Sequence, residues 1–555
     1  MNYFNHLYKT LLICLVLTVG CTNDFEEINS DPSVVNEPNL RYLFTYSADR
    51  LVTYQGTEWV WENMEHLLRY SQHVTADPYE LSGNVNSRYP VFYRDILPNL
   101  QEIRQRIDAR ADADRYQNMK MVTYVLQILH AIKVSDMNGA IPYQEAALAR
   151  YDGTFDPVYN TQSELFTLWL NQLNEAIQTI SANLNGDQEN FGEADLFYQG
   201  DWVKWAKLAN TLKLRIAARV QNQDAGQAAQ IFQEVIQDGI GPIDSDEAQM
   251  VYSNDNYTPF GTGGDIDYRS RRFATSTIVD FMKSTEDPRL SIYFEPNDLT
   301  GSYQDSLDFY GLSLPEFIDP ADPLIQYQGG PVDWSLEPEV STYFNNPIAV
   351  GTNRYFLISP INRKFFSPKL NNANGIFTNV IVSYAETCFY IAEFIEKGYG
   401  SGSAEEWYNR GIASSIRTMN MIAQDAQSDV AFTDDGTAQI EAYQNQPEVQ
   451  LNGENDLERI YIQQYLQFYR QPNEAFVFTR RTGYPTFDSD YYSRQAYSQV
   501  IPRRFWLDDP GEVNRENWEN AMQEQDFTPR SQDVVDLNQE RIWYDKTAPD
   551  FGMGQ

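Results

Sequence analysis

The sequence is short of cysteine, histidine and basic side chains, and each shortage excludes a kind of chemistry. Three cysteines and four histidines occur in 555 residues, with no HExxH motif or comparable ligand spacing around the histidines. We therefore predict no metal site and no bound cofactor. The chain has 78 acidic residues and only 41 basic ones, which gives a formal charge of −37. A charge of this sign repels phosphate backbones, which excludes nucleic acid as a partner.

Signatures of covalent catalysis are missing as well. The chain has no G-x-S-x-G elbow, no P-loop and no G-x-G-x-x-G motif opening a helix. Glycoside hydrolysis needs only two carboxylates, but among 78 acidic residues any pair could be nominated. The sequence therefore favours a protein that is not an enzyme.

Long apolar runs are absent except for a short one near the start, from Leu11 to Val19. Nine residues cannot cross a bilayer as a helix, which takes about 20. A glycine and then Cys21 follow, an arrangement that resembles the lipobox of bacterial lipoproteins. We predict that residues 1–20 are a signal peptide and that Cys21 is lipidated. The alternative is an ordinary secretory signal followed by a chance cysteine.

The cysteines also bear on cross-linking. Cys14 leaves with the signal and Cys21 carries lipid, so Cys388 has no partner and we predict no disulfide. Cys388 lies on an apolar stripe at helical spacing, which predicts a buried structural cysteine. Residues 21–40 are polar and contain two prolines, and they are interpreted as a tether between the lipid and the fold.

Aromatic residues make up 14% of the chain, which argues for a folded protein despite the acidity. Apolar stripes at helical spacing recur and predict amphipathic helices. They lie in residues 113–133, 161–183, 201–220, 381–397, 404–422 and 455–470. Long helices joined by short turns predict a mainly α protein, a tetratricopeptide-like helix-hairpin array.

Residues 241–375 differ in character, because glycine, proline, asparagine and aspartate cluster there with few helical periods. We interpret them as an irregular, loop-rich, ligand-facing lobe with a few short strands. The predicted domains are the helix-hairpin array in 41–240 and 376–480, the loop-rich lobe in 241–375 and a C-terminal wrap in 481–555.

Several segments in order resemble one known family. They are the segments Asp136–Ala146 (DMNGAIPYQEA) and Asp195–Val220, the Asp287-Pro288-Arg289 turn, Arg480–Pro485 and Ile501–Arg504. Together with the lipobox they resemble the SusD/RagB family of outer-membrane nutrient-binding lipoproteins. Met137, Asn138 and Ala140 depart from the commoner residues of the first motif. The resemblance covers nearly the whole chain.

The resemblance implies an extracellular lid, anchored in the outer membrane by lipid, over a SusC-type TonB-dependent transporter. Such a lid binds an oligosaccharide and helps deliver it to the barrel. Asp24, Glu26 and Glu27 resemble the surface-export signals of these lipoproteins. Two alternatives stay open: a RagB-like lid that binds peptides, and a surface scaffold that binds only proteins.

The family motifs are interpreted as structural. We expect Asp136 to cap and close a helix hairpin. We expect Arg480, Arg481, Arg503 and Arg504 to form buried or bidentate ion pairs, the alternative being a grip on an anionic ligand.

Ligand choice is assigned to two loops that combine aromatic rings with planar polar groups, the mixture that sugars require. The loops run near Asp77 to Tyr89 and from Tyr252 to Trp334. The candidate ligand-binding residues are Tyr79, Asn84, Asn86, Arg88, Tyr252, Asn254, Asp255, Tyr257 and Trp334. The alternative is that these aromatic rings seal the loops onto the helices.

Overall fold

A computed structural model describes most of the chain. The described residues are 38–52, 57–75, 85–256, 272–299, 305, 307–309, 311, 313–333, 337–342, 348–350, 353–369, 373–486, 488–489, 491–492 and 500–550. The predicted signal peptide and all but the end of the tether lie outside them. Over the described ranges, no helix is both long enough and apolar enough to cross a membrane.

Helices dominate the described chain. They are α1 (Leu40–Asp49), α2 (Leu68–Tyr70), α3 (Arg88–Val91), α4 (Leu97–Asp108), α5 (Gln117–Asn138), α6 (Gln162–Ala182), α7 (Trp202–Val220), α8 (Ala225–Gln237), α9 (Ser276–Ser284), α10 (Leu290–Tyr293), α11 (Pro338–Thr342), α12 (Arg363–Phe366), α13 (Tyr384–Glu396), α14 (Ala404–Asp425), α15 (Thr437–Gln444), α16 (Asp456–Gln467), α17 (Pro472–Thr482), α18 (Arg515–Glu524) and α19 (Val534–Gln539). Two segments are π-helical, Thr57–Leu67 before α2 and Phe92–Ile96 between α3 and α4. Short 3₁₀ turns occupy Ala113–Tyr116, Gly192–Ala194, Asp246–Ala248, Phe468–Arg470 and Trp543–Asp545.

The six predicted helices are confirmed as α5, α6, α7, α13, α14 and α16, because the apolar stripes select the buried faces. Side-chain caps fix where several of them begin. Thr161 and Glu164 form a capping box at α6, and the Asp201 carboxylate accepts from two backbone N–H groups at α7. At the beginning of α13 the Ser383 hydroxyl accepts from the backbone N–H of Glu386.

Successive helices pack against one another: α5 on α6, α6 on α7, and α7 on α8. In the second half α13 packs on α14 and α16, and it also contacts α7, which joins the two halves. One apolar core runs from Phe44 to Tyr544 and buries Trp169, Trp205 and Trp518 completely. The predicted mainly α architecture with few strands is confirmed.

Strands are short and pair in twos among the described residues. They are β1 (Val74–Thr75), β2 (Ile141–Pro142), β3 (Tyr159–Asn160), β4 (Met250–Asn254), β5 (Phe273–Ala274), β6 (Ile348–Val350), β7 (Asn353–Tyr355) and β8 (Phe377–Val382). The pairs β1–β5, β2–β3, β4–β8 and β6–β7 are antiparallel. The longest pair, β4–β8, connects the beginning of the predicted loop-rich stretch to the chain just beyond its end.

A network of buried ion pairs crosses the helices. Arg219, on α7, donates to both carboxylate oxygens of Asp136 at 2.8 Å and to Glu474 at 3.0 and 3.1 Å. Arg215, one turn earlier, bonds the Glu386 carboxylate of α13. The expectation that Asp136 caps a hairpin was wrong: it lies in the last turn of α5, fully buried, because Arg219 reaches it from the neighbouring helix.

The predicted ion pairs of the other arginines are confirmed in three of four cases. Arg481 donates to both oxygens of Glu393 at 2.7 and 2.8 Å, while Arg503 pairs with Asp545 and Arg504 with Glu540. Burial would raise the pKa of Glu393, but Arg481 and Lys397 outweigh it and hold that pKa well below its usual range.

Arg480 departs from the prediction, because its guanidinium donates to the backbone carbonyls of Arg503 and Asp136, at 2.7 and 2.9 Å. It thereby ties the C-terminal segment to the end of α5. Cys388 is a free thiol and fully buried, as predicted, and burial raises its pKa to about 12.

Candidate ligand-binding groove

A groove of about 490 Å³ lies between helix α1 and strand β4. We call it the tyrosine groove. Its lining residues are Tyr42, Thr45, Tyr46, Asp49, Leu196, Tyr252, Ser253 and Asn254. Two of these, Tyr252 and Asn254, belong to the candidate residues chosen from the sequence.

Two tyrosines of α1 form one side of the groove. Tyr42 and Tyr46 are four residues apart and so lie on the same face of the helix. Phe44 and Ala48 point into the core, which leaves Tyr42 75% and Tyr46 42% exposed. The guanidinium carbon of Arg50 lies 4.6 Å from the centre of the Tyr46 ring. The Tyr42 ring is therefore open to solvent, and the Tyr46 ring offers the face that Arg50 does not cover.

The other side is polar and ordered by hydrogen bonds. The Tyr252 hydroxyl donates to the Asp49 carboxylate at 3.3 Å and accepts from the Asn254 amide at 2.9 Å. The Tyr252 ring itself is buried, so its hydroxyl end is what it contributes. Asp255 is exposed beside them, and its carboxylate accepts from the Asn256 amide at 2.8 Å.

Two candidate residues of the first predicted loop are described, Asn86 and Arg88, and neither lines the groove. Arg88 is buried, pairs with Glu58 and also donates to the carbonyl of Arg50 at the end of α1. Asn86 is half-buried, and its amide donates to the Trp506 carbonyl at 3.3 Å. The two predicted loops thus contact neighbouring residues, since Arg88 bonds Arg50 and Tyr252 bonds Asp49.

Four other candidates, Tyr79, Asn84, Tyr257 and Trp334, lie outside the described residues, as does Cys21. Reasoning from the sequence missed Tyr42 and Tyr46. Their spacing could have indicated them: Tyr42 and Tyr46 are four residues apart on a helix whose buried residues include Phe44 and Ala48. In the described ranges, no group of three histidine, cysteine, aspartate or glutamate side chains is placed to hold a metal ion.

A helical array that carries an ordered groove with aromatic rings on one side and polar groups on the other has the architecture of a binding protein. A family model described as SusD-like, starch-binding and associating with the outer membrane, matches residues 38–507. The chain belongs to this SusD-like family, whose members are outer-membrane-associated, nutrient-binding proteins.

Solved structures agree with the fold. A chitin-binding protein is 21% identical, with 92% of this chain and 100% of that one covered and a TM-score of 0.67. A SusD homologue from Bacteroides fragilis is also 21% identical, with the same coverage and a TM-score of 0.66. A chitin-binding SusD homologue from Flavobacterium johnsoniae is 17% identical, with the same coverage and a TM-score of 0.64. No curated protein matches the chain in sequence.

Proposed function

We propose that this protein is a surface lipoprotein that captures oligosaccharides and passes them to a SusC-type TonB-dependent transporter, without covalent chemistry. The tyrosine groove is the capture site in the described part of the chain. The candidate loop residues Tyr79, Asn84, Tyr257 and Trp334 lie outside the described residues and stay predicted ligand contacts.

The observation that carries the proposal is the pairing of exposed tyrosine rings with a fixed polar wall. A sugar ring has apolar C–H faces and a rim of hydroxyls, so it stacks on an aromatic face while its hydroxyls bond planar groups. Tyr42 and Tyr46 offer the faces, and Asp49 and Asn254 offer the acceptor and donor. Family membership and the chitin-binding structural neighbours support the same ligand class.

Replacing Tyr42 by alanine is expected to weaken oligosaccharide binding by about 1 kcal/mol or more, because a stacked aromatic face is lost. The melting temperature should hardly change, since the side chain is 75% exposed. Calorimetry with starch- and chitin-derived oligosaccharides, and with peptides of similar size, measures both the effect and the ligand class.

The matched control is Phe155→Ala, which removes a 69% exposed ring that does not line the groove. Affinity should be unchanged in this variant. Equal affinities for Tyr42→Ala and the parent protein would contradict the groove as capture site. Binding of peptides in place of glycans would favour the RagB-like alternative.

A further inference from the structure

A second cavity lies deeper, between the π-helical segment Thr57–Leu67, α5, β8 and the beginning of α17. We call it the inner cavity. It does not share a lining residue with the tyrosine groove. The π-helical segment is itself notable, because helices of this type occur frequently at functional sites.

Polar side chains face this cavity without partners in the described chain. The Lys133 ammonium, in the middle of α5, forms no hydrogen bond or ion pair among the described residues, although the carboxylates of Glu58 and Glu474 attract it from a longer distance. One Glu62 carboxylate oxygen accepts from the backbone N–H groups of Asn86 and Ser87, at 3.1 and 2.9 Å, and from the Ser87 hydroxyl. Its other oxygen has no partner among the described residues. The side-chain amides of Asn63 and Asn379 are likewise without partners among the described residues. Open donors and acceptors therefore line one space.

The two open ionisable groups, Lys133 and Glu62, are of opposite charge type. The other charged lining residues are also of both signs: Glu58, Arg88, Arg215, Arg470 and Glu474. Burial lowers the pKa of Lys133 to about 8 and raises the pKa of Glu62 to about 7. An anion would meet the Glu62 carboxylate, and a cation would meet the Lys133 ammonium. A neutral molecule with hydroxyl groups can donate to the Glu62 carboxylate and accept from the Lys133 ammonium. It can also form hydrogen bonds with the side-chain amides of Asn63 and Asn379.

The volume of the inner cavity and its apolar lining further limit which ligand can fit. The space open to the centres of water molecules is about 70 Å³, room for about five waters and comparable with one sugar ring. Trp59, Met137, Val380 and Pro472 supply apolar lining next to the polar groups. A pyranose has this same combination of apolar faces and a hydroxyl rim.

We propose that the inner cavity is a second subsite, which binds a single neutral pyranose ring through Lys133, Glu62, Asn63 and Asn379. This inference rests on the proposed glycan-binding function and adds a site separate from the tyrosine groove. The protein would then have two sugar sites: the tyrosine groove for an oligosaccharide and the inner cavity for a single sugar ring.

The test is monosaccharide binding, measured by saturation-transfer NMR with glucose, galactose, mannose, xylose and N-acetylglucosamine, and with acetate and ethylammonium as charged probes. We expect at least one neutral sugar to bind the full protein. Lys133→Met should weaken that binding about tenfold or more, because a hydrogen bond from a charged donor is lost. Lys120→Met is the matched control on the same helix, since Lys120 pairs with Asp108 and does not line the cavity.

A second measurement separates a ligand site from a structural role. Burial outweighs the attraction of Glu58 and Glu474 on the Lys133 ammonium and lowers its pKa to about 8. The Lys133→Met variant should therefore have an unchanged or higher melting temperature, whereas loss of a structural lysine would lower it. Tyr42→Ala should keep monosaccharide binding in the cavity while weakening oligosaccharide capture.

The opposite outcomes overturn the inference. They are no binding of any neutral sugar, binding of acetate or ethylammonium alone, or sugar binding that Lys133→Met leaves intact. If oligosaccharides still bind and respond to Tyr42→Ala in these cases, the inner cavity is not a sugar subsite and the proposed function stands. If neither oligosaccharides nor monosaccharides bind, the proposed function fails as well.

Discussion

Replacing Arg219 by methionine is expected to lower the free energy of unfolding by about 3–5 kcal/mol, the cost of breaking a buried ion pair from one side. Arg219 is fully buried, and both Asp136 and Glu474 depend on its guanidinium. Without it, three helices, α5, α7 and α17, meet around carboxylates that have lost a counter-charge. Urea denaturation at neutral pH measures the change through the midpoint of unfolding.

The control is Arg410→Met, which removes the partner of Glu406 on the surface of α14. Both side chains of that pair are about half exposed, so the loss should stay below about 1 kcal/mol. Similar midpoints for the Arg219 and Arg410 variants would mean that the buried network does not stabilise the fold as argued. Recovery of folded protein from the Arg410 variant alone would agree with the prediction.

Replacing Cys21 by alanine is expected to move the protein from the membrane fraction to the soluble fraction completely. Acyl chains attached at this cysteine would supply roughly 0.8 kcal/mol per buried methylene, and two or three chains together anchor a protein stably. Nothing else in the described chain is long and apolar enough to span the bilayer. Fractionation with a carbonate wash, together with labelling by radioactive palmitate, measures the change.

Thr22→Ala is the matched control, because it alters the neighbouring residue and leaves the cysteine in place. It should remain in the membrane and incorporate label. Wild-type protein that is never labelled would favour the ordinary secretory signal over the lipobox. A Cys21→Ala variant that survives the carbonate wash in the membrane would point to a different anchor.

The helices were predictable because their signal is local. A stripe such as Trp202, Trp205, Ala209, Leu212 and Ile216 repeats at the helical period, and a helix with such a face must bury it. The same reasoning placed Cys388 in the core. Arg481, Arg503 and Arg504 also behaved as expected, since a carboxylate matches the fork of a guanidinium. Arg480 shows that backbone carbonyls can take that place.

Other features depend on residues far apart in the chain. Asp136 has a local context that suggests a cap, yet Arg219 reaches it from the next helix but one and makes it part of the ion-pair network. Strand β4 pairs with β8, which lies beyond the whole loop-rich stretch. No pattern within either segment specifies that register, because it is set by the packing between them.

The proposed binding face also combines residues that the sequence predicted with residues that only the tertiary structure revealed. Tyr252 and Asn254 were chosen from the sequence for their chemistry, and they line the groove. Arg88 was chosen for the same reason, but it is buried in an ion pair with Glu58 and does not line the groove. Tyr42 and Tyr46 were not predicted, because an exposed tyrosine on a helix lines a groove only when a second element, here β4, lies opposite it.

The sequence by itself determined the family, the helical class and the buried faces, since these follow from motifs and from periodicity within single segments. Only the tertiary structure decided which carboxylate each arginine meets, which strands pair and which tyrosines border a groove. The physical reason is that the apolar face of a helix depends on the residues of one segment, whereas a contact depends on the relative placement of two segments.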